Sequence, residues 1–249
     1  MIRKSGFSRI DAAVVAACIV WLVLCAGSVG SHGAAMAERA VCLAHMKRLT
    51  HAWLACAQDS GGYLPGGCPG KGTRPWLGQK SYSGDSTSSI TSGALWPYSQ
   101  DRCLYRCPRG RAGEVVTYSI VQSMNGAQST SGSAGKYIRK LSDIPESTAS
   151  GRMVFIDEGW SPSGGFVVFY DQHRWWDSAP ARHDCGTCVS FADGHSEYWQ
   201  WKDSRNCETS RPPETSHPSQ NPPATTGYDE DLIRLQIAVW GELGYVLLR

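Results

Sequence analysis

Residues 34–57 read AAMAERAVCLAHMKRLTHAWLACA, a stretch without proline or glycine. Apolar side chains recur in it at alternating steps of four and three residues: Cys42, Met46, Leu49, Trp53 and Cys56. Because an α-helix turns once every 3.6 residues, this spacing places them on one stripe of a helix. The charged side chains fall largely off that stripe. We therefore predict an amphipathic helix that packs against a sheet and turns its charged side to water.

The stretch before this helix is strongly apolar. Residues 12–30 carry no charged side chain, and Arg3, Lys4 and Arg9 precede them. Their length nearly matches a hydrocarbon core of roughly 30 Å. The basic flank predicts a cytoplasmic N-terminus and a single pass through the inner membrane, with the rest of the chain periplasmic or extracellular. A removable secretory signal is the alternative, since Ala-Met-Ala at 35–37 is an acceptable cleavage site.

The segment Gly6-Phe7-Ser8-Arg9-Ile10-Asp11 stands directly before the apolar run. It resembles the processing site of bacterial prepilins. The resemblance implies that a prepilin peptidase cuts after Gly6 and methylates the new amine of Phe7. It also implies that Asp11 takes the place of the family's usual glutamate. A buried carboxylate is costly unless paired, so Asp11 would pair with the N-terminal amine of a neighbouring subunit and set the register of a filament.

Further segments are similar, in the same order, to a large bacterial group of prepilin-type proteins related to the G-type pseudopilins of type II secretion. These segments are residues 41–65, 95–98, 107–108, 153–158, 183–203 and 231–236. The resemblance implies a pilin-like α+β fold, in which a long N-terminal helix, membrane-spanning in its first half, packs on a small antiparallel sheet with long loops and a C-terminal helix. The implied partners are a prepilin peptidase, copies of the chain or other pilin-like subunits, and an inner-membrane assembly platform.

The same resemblance suggests a calcium site. Asp157 and Glu158, at the end of a predicted strand, are its candidate ligands, although both fit equally well as turn residues. Zinc is the other candidate cofactor, because the spacing of the cysteines suits a zinc site.

The rest of the chain reads as a sheet domain followed by a linker and a helix. Segments rich in β-branched or aromatic residues and bounded by turn residues predict five strands, at 115–121, 153–157, 166–170, 187–192 and 195–201. Five prolines in 203–227 are typical of an exposed linker. The predicted organisation is a leader (1–6), a transmembrane or filament-core helix (7–30), the extracytoplasmic half of the stem helix (31–58), a loop-rich sheet domain (59–202), the Pro-rich loop (203–227) and a C-terminal helix (228–249).

One dipeptide predicts a hairpin turn. Asp193-Gly194 lies between two strand-like runs, which favours a two-residue type I′ turn with His195 opposite Ala192. In that register His183 and His195 lie too far apart along the strand for a simple two-histidine metal site. The resemblance includes a histidine at the position of His183 but brings no chemical role for it.

Ten cysteines are a heavy load for this length and are typical of an oxidising compartment. Cys18 and Cys25 lie in the apolar run. The other eight are disulfide candidates: Cys42, Cys56, Cys68, Cys103, Cys107, Cys185, Cys188 and Cys207. The pair we expect is Cys42 with Cys107, which would tie the stem helix to the loop ahead of the sheet and close a loop worth roughly 4 kcal/mol.

Two other uses of the cysteines remain open. Cys103 and Cys107 are four residues apart and Cys185 and Cys188 three, and these spacings together suit a four-thiolate zinc site. Cys185-Gly186-Thr187-Cys188 also has the form of a redox motif, but it runs into a predicted strand rather than a helix N-terminus, which disfavours catalysis.

Composition narrows the function classes. The formal charge of +2 and the lack of a basic run disfavour nucleic acid as a partner. No Gly-x-Ser-x-Gly or His-Glu-x-x-His motif is present, and we predict a structural subunit and not an enzyme. The alternative function is a tethered or secreted binding module for carbohydrate or protein that uses loop aromatics, with the candidates Trp76, Trp160, Trp175 and Trp176.

Overall fold

The structure is a computed structural model that describes residues 9–70, 73–78, 87–126, 137–158, 165–208 and 228–247. Within the first helix, the side chains of residues 9–12 and 22–32 lie outside this description. The chain divides into two compact units, Met1–Glu38 and Arg39–Arg249.

Helix α1 runs from Arg9 to Gln58, 50 residues without a break. Its second half confirms the predicted stripe, because the residues of that stripe are at most 1% exposed. Thr50 Oγ1 lies 2.7 Å from Ser190 Oγ, and Ser196 Oγ donates to the Leu43 carbonyl. The helix therefore packs on the sheet with its apolar side, as predicted.

The first part of α1 corrects one prediction. Among the described residues, no helix is both long enough and apolar enough to cross a membrane. This finding contradicts the predicted single-pass location in the inner membrane with a periplasmic or extracellular domain, and the prediction is corrected accordingly.

The sheet has four antiparallel strands in the order β1-β2-β3-β4. They are β1 (Tyr118–Ile120), β2 (Met153–Asp157), β3 (Gly186–Phe191) and β4 (Ser196–Gln200). Every residue of β1, β2 and β3 is buried, because these strands lie within one hydrophobic core together with α1. The predicted α+β class is confirmed to this extent.

Short helices connect these elements. They are α2 (Thr87–Thr91), α3 (Trp96–Ser99), a 3-10 turn at Arg102–Tyr105, another at Leu141–Asp143, α4 (Glu146–Ala149) and α5 (Ser204–Glu208). The predicted terminal helix is α6, Glu230–Trp240. The Asp229 carboxylate caps it by accepting the Leu232 amide, and Gly241 ends it in a left-handed conformation (φ 87°).

The strand predicted at 166–170 does not form. Phe166 makes one parallel bridge with Val121, and Val168 makes one antiparallel bridge with Trp175. Between them the Val167 amide donates to the Asp177 carboxylate at 2.7 Å. A side chain thus takes the place of a strand partner, so no ladder can extend there.

The hairpin between β3 and β4 forms with a different turn from the predicted one. The Phe191 amide donates to the His195 carbonyl, and the Gly194 amide donates to the Phe191 carbonyl. The loop therefore has three residues, with Gly194 at φ +95° and Asp193 outside the left-handed region. Three-residue loops are the next most common type of β-hairpin connection, and in them only the last loop residue needs a positive φ. His195 consequently faces Phe191, on whose ring it stacks at 4.5 Å.

Candidate functional site

Four chemically reactive side chains meet beneath the stem helix. Cys42 comes from α1, Cys107 follows the 3-10 turn at Arg102–Tyr105, Asp157 is the last residue of β2, and His183 precedes β3. All four are fully buried. One ligand atom from each lies within 4.8 Å of the other three. We call this set the Cys42 cluster.

The distances within the Cys42 cluster are close to contact. His183 Nε2 lies 3.1 Å from Cys107 Sγ and 3.6 Å from Asp157 Oδ2. Cys42 Sγ lies 3.5 Å from the same Asp157 oxygen. One carboxylate oxygen thus faces a thiol and an imidazole, and the second thiol adjoins that imidazole.

The loop that carries His183 is held tightly. Its amide donates to the Gly186 carbonyl at 3.1 Å, and the Tyr198 hydroxyl donates to its carbonyl at 2.6 Å. Asp184 and Cys185 adopt left-handed backbone conformations, with φ of 50° and 61°. Such conformations cost free energy in non-glycine residues, so the surrounding contacts must maintain them.

The other oxygen of Asp157 has a cationic partner. Arg182 Nε lies 3.2 Å from Asp157 Oδ1, and the guanidinium also donates to Glu114. Burial raises the pKa of Asp157, while the Arg182 charge opposes that rise. Arg182 therefore leaves Oδ2 as the oxygen that faces the cluster.

Burial also sets the protonation of the remaining groups. It raises the pKa of Cys42, and a hydrogen bond with Cys42 together with burial raises the pKa of Cys107. Burial, together with the nearby charges of Arg109, Arg39 and Arg182, lowers the pKa of His183 to about 4. At neutral pH the two thiols are therefore protonated and the imidazole is neutral. His183 Nδ1 has no hydrogen-bond partner among the described residues.

Such a set of groups can do two things chemically. Two sulfurs, one nitrogen and one oxygen match the ligands of a tetrahedral transition-metal site. Alternatively, the two thiols could oxidise to the predicted Cys42–Cys107 disulfide. The structure brings these two cysteines together as free thiols, and a third free thiol, Cys188 of β3, contributes to the raised pKa of Cys42. An open surface cleft lined by Arg102, Arg106, Glu114 and others reaches Cys107.

The four-cysteine zinc site predicted from spacing is wrong. Cys185 forms a disulfide with Cys207, so it is not available as a metal ligand or as half of a redox pair with Cys188. Cys103 is exposed and lies outside the Cys42 cluster. The spacing is misleading because Cys103 lies in the 3-10 turn at Arg102–Tyr105 and is exposed, whereas Cys107 follows that turn and is buried.

The other disulfide candidates are dispersed. Cys56 and Cys68 are both buried. The Arg74 guanidinium donates to Cys56 Sγ at 2.9 Å. Of the eight candidates, Cys185 and Cys207 are paired in the structure, whereas Cys42 and Cys107 are adjacent and unbonded.

The remaining predicted residues are placed as follows. Gly6 and Phe7 lie outside the described residues, as does the side chain of Asp11. Glu158 is buried beside Asp157 but is not part of the Cys42 cluster. His195 bonds with the Asp193 carboxylate and is also not a member.

The tryptophans proposed for a binding surface serve mostly in packing. Trp76 and Trp175 are 1% and 5% exposed. Trp176 is partly buried and packs edge-on against Phe169. Trp160 lies outside the described residues. The alternative of a binding module therefore gains no exposed aromatic surface from the described tryptophans.

The sequence does not indicate how these residues combine. It marks Asp157 and His183 separately and connects neither to Cys42 and Cys107. Arg182 and Tyr118, which support the cluster, carry no signal of their own in the sequence. The available signals were a carboxylate ending a fully apolar strand and a histidine flanked by charged residues. Neither indicates its partners, because the four residues are far apart in sequence.

Comparisons with known proteins identify no relative. The chain matches no family model, no curated protein and no solved structure.

Proposed function

We propose that this chain is a structural, non-catalytic subunit of a pilin-like filament, in which α1 packs among the α1 helices of other copies. The observation that carries the proposal is the exposure of large apolar side chains near the start of that helix. Val14, Val15, Ile19, Val20 and Trp21 are 47–67% exposed. Folded proteins rarely leave so many large apolar groups together in water.

The distribution of these side chains favours several neighbours over one. At about 100° per residue, the five positions spread around the whole circumference of the helix. A helix that is apolar on all sides must bury all of its sides, whereas the second half of α1 has a single apolar stripe to bury. Packing among several copies of the same helix provides such cover, whereas a simple dimer would leave one side in water.

The resemblance to prepilins supplies the expected processing and partners. A prepilin peptidase would cut after Gly6 and methylate Phe7. Asp11 would then pair with the amine of a neighbouring subunit, and an assembly platform would add subunits to the filament. The unit Arg39–Arg249 is the folded domain that each copy carries.

The test compares two apolar-to-acidic substitutions at equally exposed helical positions. Val15 in α1 is 47% exposed and Ile237 in α6 is 45% exposed. In sedimentation of the full chain co-expressed with a prepilin peptidase, we expect V15E to abolish high-mass assemblies and I237E to retain them. Equal loss in both variants, or an unmodified chain that sediments as a monomer, would refute the proposal.

The N-terminus gives an independent readout. We expect the intact mass of the same preparation to correspond to a chain that begins at methylated Phe7. A chain that begins at Glu38 would show that the apolar segment had been removed as a secretory signal, and the filament proposal would then be wrong.

A further inference from the structure

We propose that the Cys42 cluster is a structural transition-metal site, with Cys42, Cys107, His183 and Asp157 as the four ligands and zinc as the ion. This inference does not depend on filament assembly. It concerns how the unit Arg39–Arg249 holds its helix, loop and sheet together.

The donor set and its spacing favour zinc. Two thiolates, one imidazole and one carboxylate are ligands that four-coordinate zinc accepts. With bonds of 2.0–2.3 Å, tetrahedral ligand atoms lie roughly 3.3–3.8 Å apart. Three of the separations, 3.1, 3.5 and 3.6 Å, are close to that range, and all four ligand atoms lie within 4.8 Å of one another. Little movement is therefore needed to close the four atoms around one ion.

Burial favours a metal over a disulfide. A Cys42–Cys107 disulfide would consume both thiols but leave the fully buried Asp157 and His183 facing each other with no ion between them. Buried polar groups are costly unless they are paired, hydrogen-bonded or bound to metal. A disulfide would remove the thiol contacts of Asp157 Oδ2 and His183 Nε2 and leave these two atoms only each other, 3.6 Å apart, whereas an ion would bind both of them and both sulfurs.

The charges around the site balance when a divalent ion is bound. The ion offsets the two thiolates, and Arg182 offsets the Asp157 carboxylate through Oδ1 while leaving Oδ2 for the metal. The Tyr118 hydroxyl donates to Cys42 Sγ at 3.3 Å, which favours the thiolate form. Contacts of this kind hold metal-binding side chains in the orientation that the ion requires.

The ligands come from α1, the segment after the 3-10 turn, the end of β2 and the loop before β3. One ion would therefore cross-link four segments that are distant in sequence. Because the unfolded chain has no such preformed site, the free energy of binding would add directly to the stability of the fold.

The experiment measures metal and thiols together. The full chain is purified without added metal and without reductant, its zinc content is determined by mass spectrometry of the element, and its cysteines are mapped by alkylation. We expect about one zinc per chain, with Cys42 and Cys107 unbonded and protected from alkylation until a chelator is added.

Matched variants locate the ion. C107S and H183A should lose the zinc, whereas C103S and H195A, which change an exposed cysteine and a half-exposed histidine outside the cluster, should retain it. Zinc retained in C107S, or a Cys42–Cys107 disulfide in the unmodified chain, would overturn the proposal.

A second measurement covers the case in which C107S or H183A fails to fold. Metal-free, reduced, unmodified protein is titrated with Co²⁺ and followed by absorbance. Thiolate-to-cobalt charge transfer together with the visible bands of tetrahedral cobalt would support the site. Their absence would overturn it.

Discussion

The Tyr118 hydroxyl of β1 donates a hydrogen bond to Cys42 Sγ of α1 across 3.3 Å, and both residues are fully buried. A residue of the sheet thus contacts Cys42, the one member of the Cys42 cluster that lies in α1. A donor at this place stabilises negative charge on the sulfur, and it does so in a water-free environment where such a bond is stronger than at the surface.

This contact predicts that Y118F weakens metal binding without abolishing it. Loss of one supporting hydrogen bond costs about 10- to 100-fold in metal affinity. Competition with a chromogenic chelator measures the change. Y98F, which removes a hydroxyl bonded to Asp59 at the surface, should leave the affinity unchanged. Equal affinity in Y118F and the unmodified protein would show that the hydroxyl does not support the thiolate.

The ion pair of Arg182 with Asp157 predicts a large loss of stability in R182M. The Arg182 side chain is 8% exposed and the carboxylate is fully buried, so the substitution leaves an uncompensated buried charge that costs about 3–5 kcal/mol. Urea unfolding of the metal-free protein measures this loss of stability. The pKa of Asp157 should rise further without Arg182. Folding then favours the protonated carboxyl, and the loss should shrink as the pH falls from 7 to 5.

The control for R182M is R205M, which breaks the pair of Arg205 with Asp203 at the surface. Exposed ion pairs contribute little, so this change should cost at most about 1 kcal/mol. Comparable losses in the two variants would contradict the assigned role of Arg182.

The contact between Thr50 and Ser190 predicts that substitutions at these two positions have non-additive effects on the free energy of unfolding. Both hydroxyls are fully buried where α1 meets β3. T50V leaves the buried Ser190 hydroxyl without its Thr50 partner, at a cost of about 1–3 kcal/mol, whereas S190A leaves the Thr50 hydroxyl its bond to the Met46 carbonyl and should cost less. The double variant should lose less than the two single losses combined. Urea unfolding of all three checks this, with T148V at an exposed position as a control that changes stability by less than about 0.5 kcal/mol. Additive losses would mean that the two hydroxyls do not interact.

Asp177 predicts a pH dependence of stability. Burial raises its pKa to about 7, although the Val167 amide donates to it and opposes the rise. The folded state therefore holds a proton that the unfolded chain releases near pH 4. Stability should fall as the pH rises from about 4 to about 7 and then level off.

D177N tests this dependence, because asparagine still accepts the Val167 amide but carries no charge. We expect the variant to melt at a higher temperature than the unmodified protein at pH 8 and at nearly the same temperature at pH 4.5, in thermal scans with chelator present. An identical pH profile for the two proteins would show that Asp177 does not titrate in this range.

Local patterns were sufficient for much of the fold. The buried stripe of α1, the existence of the β3–β4 hairpin and the terminal helix ending at Gly241 each follow from residues within a few positions of one another. The turn type was not predictable in the same way. Asp-Gly suits a two-residue turn, but the contacts of Asp193 and the stacking of His195 on Phe191 favour a three-residue loop.

The class of the fold and the buried stripe of α1 are predictable from the sequence alone. The pairing of Cys185 with Cys207, the isolated bridges at 166–170 and the meeting of Cys42, Cys107, Asp157 and His183 depend on tertiary packing. Periodicity records which side of an element is buried, because burial repeats with the geometry of the backbone. It does not record which distant residue occupies the same few ångströms, since that depends on how separate elements pack in three dimensions.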